Sequence, residues 1–153
     1  MKTHNKDKYF SENLILWFKK NKRNLPWRRS VSHKDYPYRV LVSEFMLQQT
    51  TVSTVIPYFN KFLKIWPNIE TLSKANIDDV LIQWQGLGYY SRARNLLKTA
   101  EIIMLKHQGY IPRSENELKS LPGIGEYASA AIRSIAFNKK ASFVLRGDLS
   151  GLP

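Results

Sequence analysis

Apolar positions recur at helical spacing along nearly the whole chain. Phe10, Leu14, Trp17 and Phe18 mark one face of a first helix that ends in the basic stretch Lys19 to Arg23. Leu25-Pro26-Trp27 breaks that pattern, and Pro37 is expected to open a second helix carrying Val40, Leu41, Met46 and Leu47. Val52, Val55, Ile56, Phe59, Phe62 and Leu63 stripe a third, in which Pro57 is tolerated near the first turns or as a kink. Asn76 caps a short helix from Ile77 to Trp84, and Gly86-Leu87-Gly88 forms a turn. A long helix then runs from Ser91 to about His107. Leu96, Leu97, Ala100, Ile103 and Met104 form its buried face, and Gly109 ends it. Ser114 with Glu117 reads as a capping box for the next helix, followed by a turn at Leu121 to Gly125 and a small-residue helix from Glu126 to Phe137. No segment shows sustained period-two alternation flanked by hairpin turns, and the one short strand candidate is Ser142 to Leu145. The pattern predicts an all-α bundle with tight connections.

Composition narrows what such a bundle does. Of 153 residues, 43% are hydrophobic, which is enough for a real core. Lysine and arginine total 24 against 12 acidic residues, a net charge of +12, so solubility alone competes with a polyanionic partner. The absence of cysteine excludes disulfides, thiolate zinc sites and a self-contained iron–sulfur cluster. Met1 to Tyr9 is polar and lacks a signal-peptide core, and the apolar runs fall short of a membrane span. A soluble cytoplasmic protein with no membrane partner is expected. The three histidines fall into no catalytic or metal-binding spacing.

The most specific local signal is Leu121-Pro122-Gly123-Ile124-Gly125 between two helices. Proline fixes the approach, and the two glycines allow backbone conformations closed to other residues and close contact with a ligand. The N–H groups opening the following helix then favour an anion. An ordinary αα-hairpin with a glycine-rich bend is the alternative, but the flanking apolar residues and the net charge favour a phosphate grip. Such a grip holds DNA by its backbone and reads no bases.

Leu121 to Gly125 resembles the helix-hairpin-helix of the endonuclease III superfamily of DNA glycosylases. Further segments are similar to its adenine glycosylase (MutY) branch: Leu25-Pro26-Trp27-Arg28, Pro37-Tyr38, Ser43 to Thr50, Pro57-Tyr58-Phe59, and Trp84 to Leu96. The likeness runs from about residue 10 to residue 145. It implies a helix-hairpin-helix DNA glycosylase domain in base-excision repair, removing adenine mispaired with guanine or 8-oxoguanine by hydrolysis of the N-glycosidic bond. Glu44 matches the general acid that protonates departing adenine and later helps activate water. Its apolar neighbours Val42, Phe45, Met46 and Leu47 are expected to raise its pKa, the alternative being a first-turn glutamate favoured by the helix dipole. Gln48 and Gln49 match the pair that reaches into the duplex near the mispair, or else simply end a helix. Tyr89 matches the wedge that enters the stack when adenine is flipped out. Arg92, Arg94 and Lys98 are candidate phosphate contacts, with a solvated helix face as the alternative. Tyr127 matches a catalytic-site position held by tyrosine or serine. Leu121, Gly123, Ile124 and Gly125 form the DNA-binding turn.

The resemblance also sets an expectation about what is missing. The family continues with Val-Leu-Asp-Gly-Asn-Val, whose aspartate is catalytic, where this chain reads Val144-Leu145-Arg146-Gly147-Asp148-Leu149. Arg146 or Leu145 therefore stands where a carboxylate would stabilise an oxocarbenium-like state, and losing such a group costs on the order of 10²–10³ in rate. The expected organisation is a polar tail over residues 1–9, a partial, truncated domain over 10–145 with its hairpin at 114–137, and a divergent tail over 146–153. No cofactor is expected in this chain, the family's 4Fe-4S cluster being carried on downstream cysteines absent here. Leu14, Ile15 and Phe18 would then leave an apolar patch. The implied partner is double-stranded DNA with A:G or A:8-oxoguanine mispairs, in the cytoplasm at the nucleoid. A complementing C-terminal polypeptide is one way to supply the missing half. Three readings stay open: a glycosylase fragment, a non-catalytic DNA-binding module, and an inactive gene remnant.

Overall fold

A computed structural model of the protein describes residues 25–28 and 35–137. A short 3-10 turn, η1 (Pro26–Arg28), precedes α1 (Asp35–Leu47), α2 (Val52–Ile65), α3 (Ile69–Ser73), α4 (Ile77–Gln83), α5 (Ser91–His107), α6 (Glu115–Lys119) and α7 (Glu126–Ala136). No strand occurs among the described residues, as the all-α pattern predicts. The expected first helix, its Leu14, Ile15 and Phe18 patch, and residues 142–149 lie outside them.

Most helix limits follow from local chemistry. Asn76 caps α4, its Oδ1 accepting from the Asp78 amide at 2.8 Å. The Ser114 hydroxyl accepts from the Glu117 amide at 3.2 Å and donates to the Glu117 carboxylate at 3.0 Å, which fixes the start of α6. Pro37 does not open α1. The helix begins at Asp35, an acidic first-turn residue, and Pro37 sits still within the first turn where its missing N–H costs nothing. The α5 helix ends at His107 as expected, with Gln108 as its left-handed C-cap at φ 57° just ahead of Gly109. Helix α3 was not anticipated. Asn68 and Thr71 close it reciprocally, side chain to backbone, at 2.9 and 3.3 Å. Five residues are too few to show an apolar period.

Helix α1 is the central strut. Val40, Leu41, Val42, Phe45 and Met46 are buried along it, and it packs against η1, α2, α5 and α7. A second layer forms where α3 and α4 lie on α5. Aromatic edges stitch the layers together. Trp27 meets Phe59 at 5.3 Å, Phe62 meets Trp66 at 4.8 Å and Trp84 at 6.1 Å, and the Tyr38 hydroxyl donates to the Trp66 carbonyl at 2.6 Å. Each such ring contributes roughly 1.5–3 kcal/mol through burial alone. The Tyr38 bond holds the start of α1, while the last turn of that helix faces the start of α7. Among the described residues, no helix is long and apolar enough to cross a membrane.

Candidate functional site

Where the last turn of α1 meets the first turn of α7, a cleft of about 620 Å³ opens. Glu44, Leu47, Gln48 and Gln49 line one side, and Gly125, Glu126, Tyr127 and Ala128 the other. Glu44 sits in the last turn of α1, so the helix dipole of a first turn does not explain it. Burial pushes its carboxyl up to about 7, and the Arg28 guanidinium nearby only partly opposes this. A carboxyl at that value exists in both protonation states near neutral pH, as proton transfer in both directions requires. Arg28 is hydrogen-bonded in turn to Tyr36. Nothing in the sequence pattern marks either residue for a functional role. The only available signal was the position of Arg28 behind Leu25-Pro26-Trp27, whose buried proline and tryptophan fix η1 against α1.

The opposite wall belongs to the hairpin of α6 and α7. Leu121 and Ile124 are buried at 2% and 4% exposure, so their side chains anchor the turn in the core and only their backbone is available to a ligand. Gly123 takes φ 79°, and a Cβ there would stand 2.9 Å from the Phe45 ring and 3.0 Å from Asn95 Cβ. Gly125 is different. Its φ of −93° is open to any residue, and among the described residues an added Cβ would meet nothing within 4 Å. Of the two glycines, then, only Gly123 is required by the fold, while Gly125 leaves space at the N-terminus of α7. The Thr99 hydroxyl donates to the Pro122 carbonyl at 3.0 Å, and Gln48 Nε2 donates to the Gly123 carbonyl at 3.3 Å. Gln48 thus ties the α1 end to the hairpin.

Tyr127 is 63% exposed at the cleft, and its hydroxyl is pushed up first by desolvation and then by the charge of Glu44. Tyr89 lies on the turn before α5, 61% exposed with φ 48°, and does not line the cleft. Arg94 and Lys98 are exposed on α5, as phosphate contacts require. Arg92 is not. Its side chain is 5% exposed and its guanidinium N–H groups are spent on backbone carbonyls, so the expectation of a phosphate contact is corrected. Glu126, a second carboxylate on the cleft wall, was also not singled out from sequence.

Residues 42–146 match the HhH-GPD superfamily of base excision DNA repair proteins. The chain belongs to that superfamily. This HhH-GPD protein is 47% identical over 141 residues to the adenine DNA glycosylase of Buchnera aphidicola subsp. Baizongia pistaciae, covering 92% of this chain and 39% of the relative. The rat adenine DNA glycosylase is 41% identical over 140 residues, with 88% of this chain and 27% of that protein covered. The chain thus spans about two fifths or less of the length of these relatives. Among solved structures, a thermostable thymine-DNA glycosylase superposes with a TM-score of 0.71 at 29% identity, covering 92% of this chain and 64% of the other. The family's iron–sulfur cluster does not fit the residues of this chain. It has no cysteine, and no group of His, Cys, Asp or Glu among the described residues could hold a metal ion.

Proposed function

We propose that the chain carries the acid and the DNA grip of an adenine DNA glycosylase acting on adenine opposite guanine or 8-oxoguanine. The observation that carries this reading is Glu44, held near a pKa of 7 in a cleft shared with Tyr127 and the hairpin N-terminus. In the proposed reaction the protonated Glu44 carboxyl gives its proton to the departing adenine as the N-glycosidic bond breaks toward the base. The resulting carboxylate then takes a proton from the water that adds to the sugar carbon. Gln48 and Gln49 would meet base edges beside the mispair, Tyr89 would fill the space left by the flipped base, and Gly123, Gly125, Arg94 and Lys98 would hold phosphates. A nucleoid location follows from that partner.

A second reading, duplex binding without base release, draws on the Leu145-Arg146 pair, either of which stands where the resemblance puts a carboxylate that would stabilise the sugar cation. A separate polypeptide contributing that group would restore the chemistry. Single-turnover adenine release, with protein in excess over a duplex carrying adenine opposite 8-oxoguanine, separates the readings. Release above background supports the glycosylase. Salt-sensitive binding without release supports the binding module, and neither activity leaves the gene-remnant reading.

The hairpin has its own test. Gly125→Ala is expected to leave the melting temperature within about 1 °C of the parent, since no atom of the described residues lies within 4 Å of the new methyl group. Duplex affinity should fall by roughly tenfold, because that methyl occupies the space where a phosphate approaches the α7 amides. Affinity unchanged in a fluorescence-anisotropy titration would remove the α7 N-terminus from the interface.

A further inference from the structure

Arg92 occupies the first turn of α5 and reaches into two chain segments at once. Its Nη1, with two N–H groups to share, lies within hydrogen-bond distance of the carbonyl oxygens of Phe45 (3.2 Å), Met46 (2.6 Å) and Gln48 (2.5 Å) and of the Thr50 hydroxyl (3.1 Å). Its Nη2 donates to the carbonyls of Leu87 at 3.3 Å and Gly88 at 3.0 Å, and Nε to that of Tyr89 at 3.4 Å. The guanidinium carbon also lies 5.5 Å from the Trp84 ring centroid and 5.6 Å from that of Tyr89. Trp84 Nε1 adds its own bond to the Gly88 carbonyl at 3.1 Å.

The physical logic is that of an unfinished helix end. The last carbonyls of α1 have no donors within their own helix, and that end carries partial negative charge. A buried cation placed there satisfies both. Guanidinium alone has a planar fork whose two sides can serve different acceptors at the same time, which a lysine ammonium cannot reproduce. The first side holds the stretch bearing Gln48 and Gln49, and the second holds the turn bearing Tyr89.

The geometry points to Arg92 as a positioning residue that locks the end of α1 to the Leu87–Tyr89 turn, fixing the distance between the glutamine pair and the Tyr89 ring. The functional part of this inference rests on the adenine glycosylase reading. Arg92 is a clamp between two probes of one base pair, and the base-flipping step depends on their spacing.

The test uses the full chain with Arg92→Lys, alongside Thr50→Val, which removes one acceptor and keeps the shape. Hydrogen exchange of the free protein should speed up by on the order of tenfold in both 48–50 and 88–90 together. Thr50→Val should show the same paired pattern at smaller amplitude. In a duplex carrying fluorescent 2-aminopurine in place of the mispaired adenine, wild-type protein should brighten the base. Arg92→Lys should slow that brightening about tenfold while Kd changes less than about twofold. Leu72→Ala, a cavity variant in the core between α3 and α5, controls for general loss of stability. Exchange that rises in one segment alone, or in neither, overturns the clamp. Equal slowing by Leu72→Ala at matched loss of melting temperature overturns the positioning role. If wild-type protein gives no brightening, the adenine reading fails and the positioning role with it, while the exchange measurement still decides whether the clamp exists.

Discussion

Glu44→Gln is expected to slow single-turnover adenine release by about 10²–10⁴-fold, the range spanned by general acid catalysis. Duplex affinity should stay within about twofold, because the amide keeps the size of the carboxyl and loses only the transferable proton. The same substitution has a thermodynamic signature that needs no substrate. The folded state holds the Glu44 proton more tightly than the unfolded chain does, at about 7 against an ordinary 4.5. Stability from this group is therefore fully present below the ordinary value and is lost as pH rises through about 7. Melting curves of wild-type protein should fall between about pH 5 and about pH 8 relative to those of Glu44→Gln. At the upper end the variant should be the more stable by up to about 3 kcal/mol. Parallel curves would mean that the carboxylate is ionised throughout and solvated, and the acid role would go with it.

Gly123→Ala should be the most damaging change in the hairpin, costing about 2–4 kcal/mol of folding stability. Two effects add. An L-residue is strained at φ 79°, and its methyl would overlap the Phe45 ring and Asn95. Phe45 follows Glu44 directly, so the displacement passes into the cleft floor, and activity should fall further than stability alone explains. Urea unfolding measures the first quantity, and a loss below about 1 kcal/mol would mean that the turn relaxes around the methyl group. Set beside Gly125→Ala, the pair assigns one glycine to the fold and the other to the ligand.

Much of the architecture could be read from spacing and caps. The apolar stripe of α5, from Ser91 to His107, is long enough to show a period, and Asn76 and Ser114 announce their helices by side-chain chemistry. Helix α3 escaped because a single turn has no period to detect. By charge Arg92 reads as one basic face with Arg94 and Lys98, although its register says otherwise. Counting along α5, it shares a face with the buried Leu96, Thr99 and Ile103, while Arg94 and Lys98 point to the other side. Helical register held that information and charge concealed it. Leu121 and Ile124 likewise look like turn residues until burial shows that their side chains are core. The cleft itself was beyond the reach of pattern. It joins the end of α1 to the start of α7, segments far apart in sequence, and Glu44, whose pKa burial raises, lies at that junction. Apolar neighbours in sequence suggested the direction of that shift, but not Arg28 as the opposing charge.

Gln49 and Tyr89, both exposed, hold left-handed backbones at φ 59° and 48° without being glycine. Such conformations cost about 1–2 kcal/mol each for an L-residue. Folding therefore bears the ordering that a flexible probe would undergo on meeting its ligand, and association starts from side chains already in place. Together with Gln108 at φ 57°, these two positions are then where thermal robustness is to be gained. Asparagine or glycine would relax either backbone, and each would remove the side chain for which the strain is kept. Under the proposed reading, selection for stability alone would trade away the two side chains assigned to the duplex.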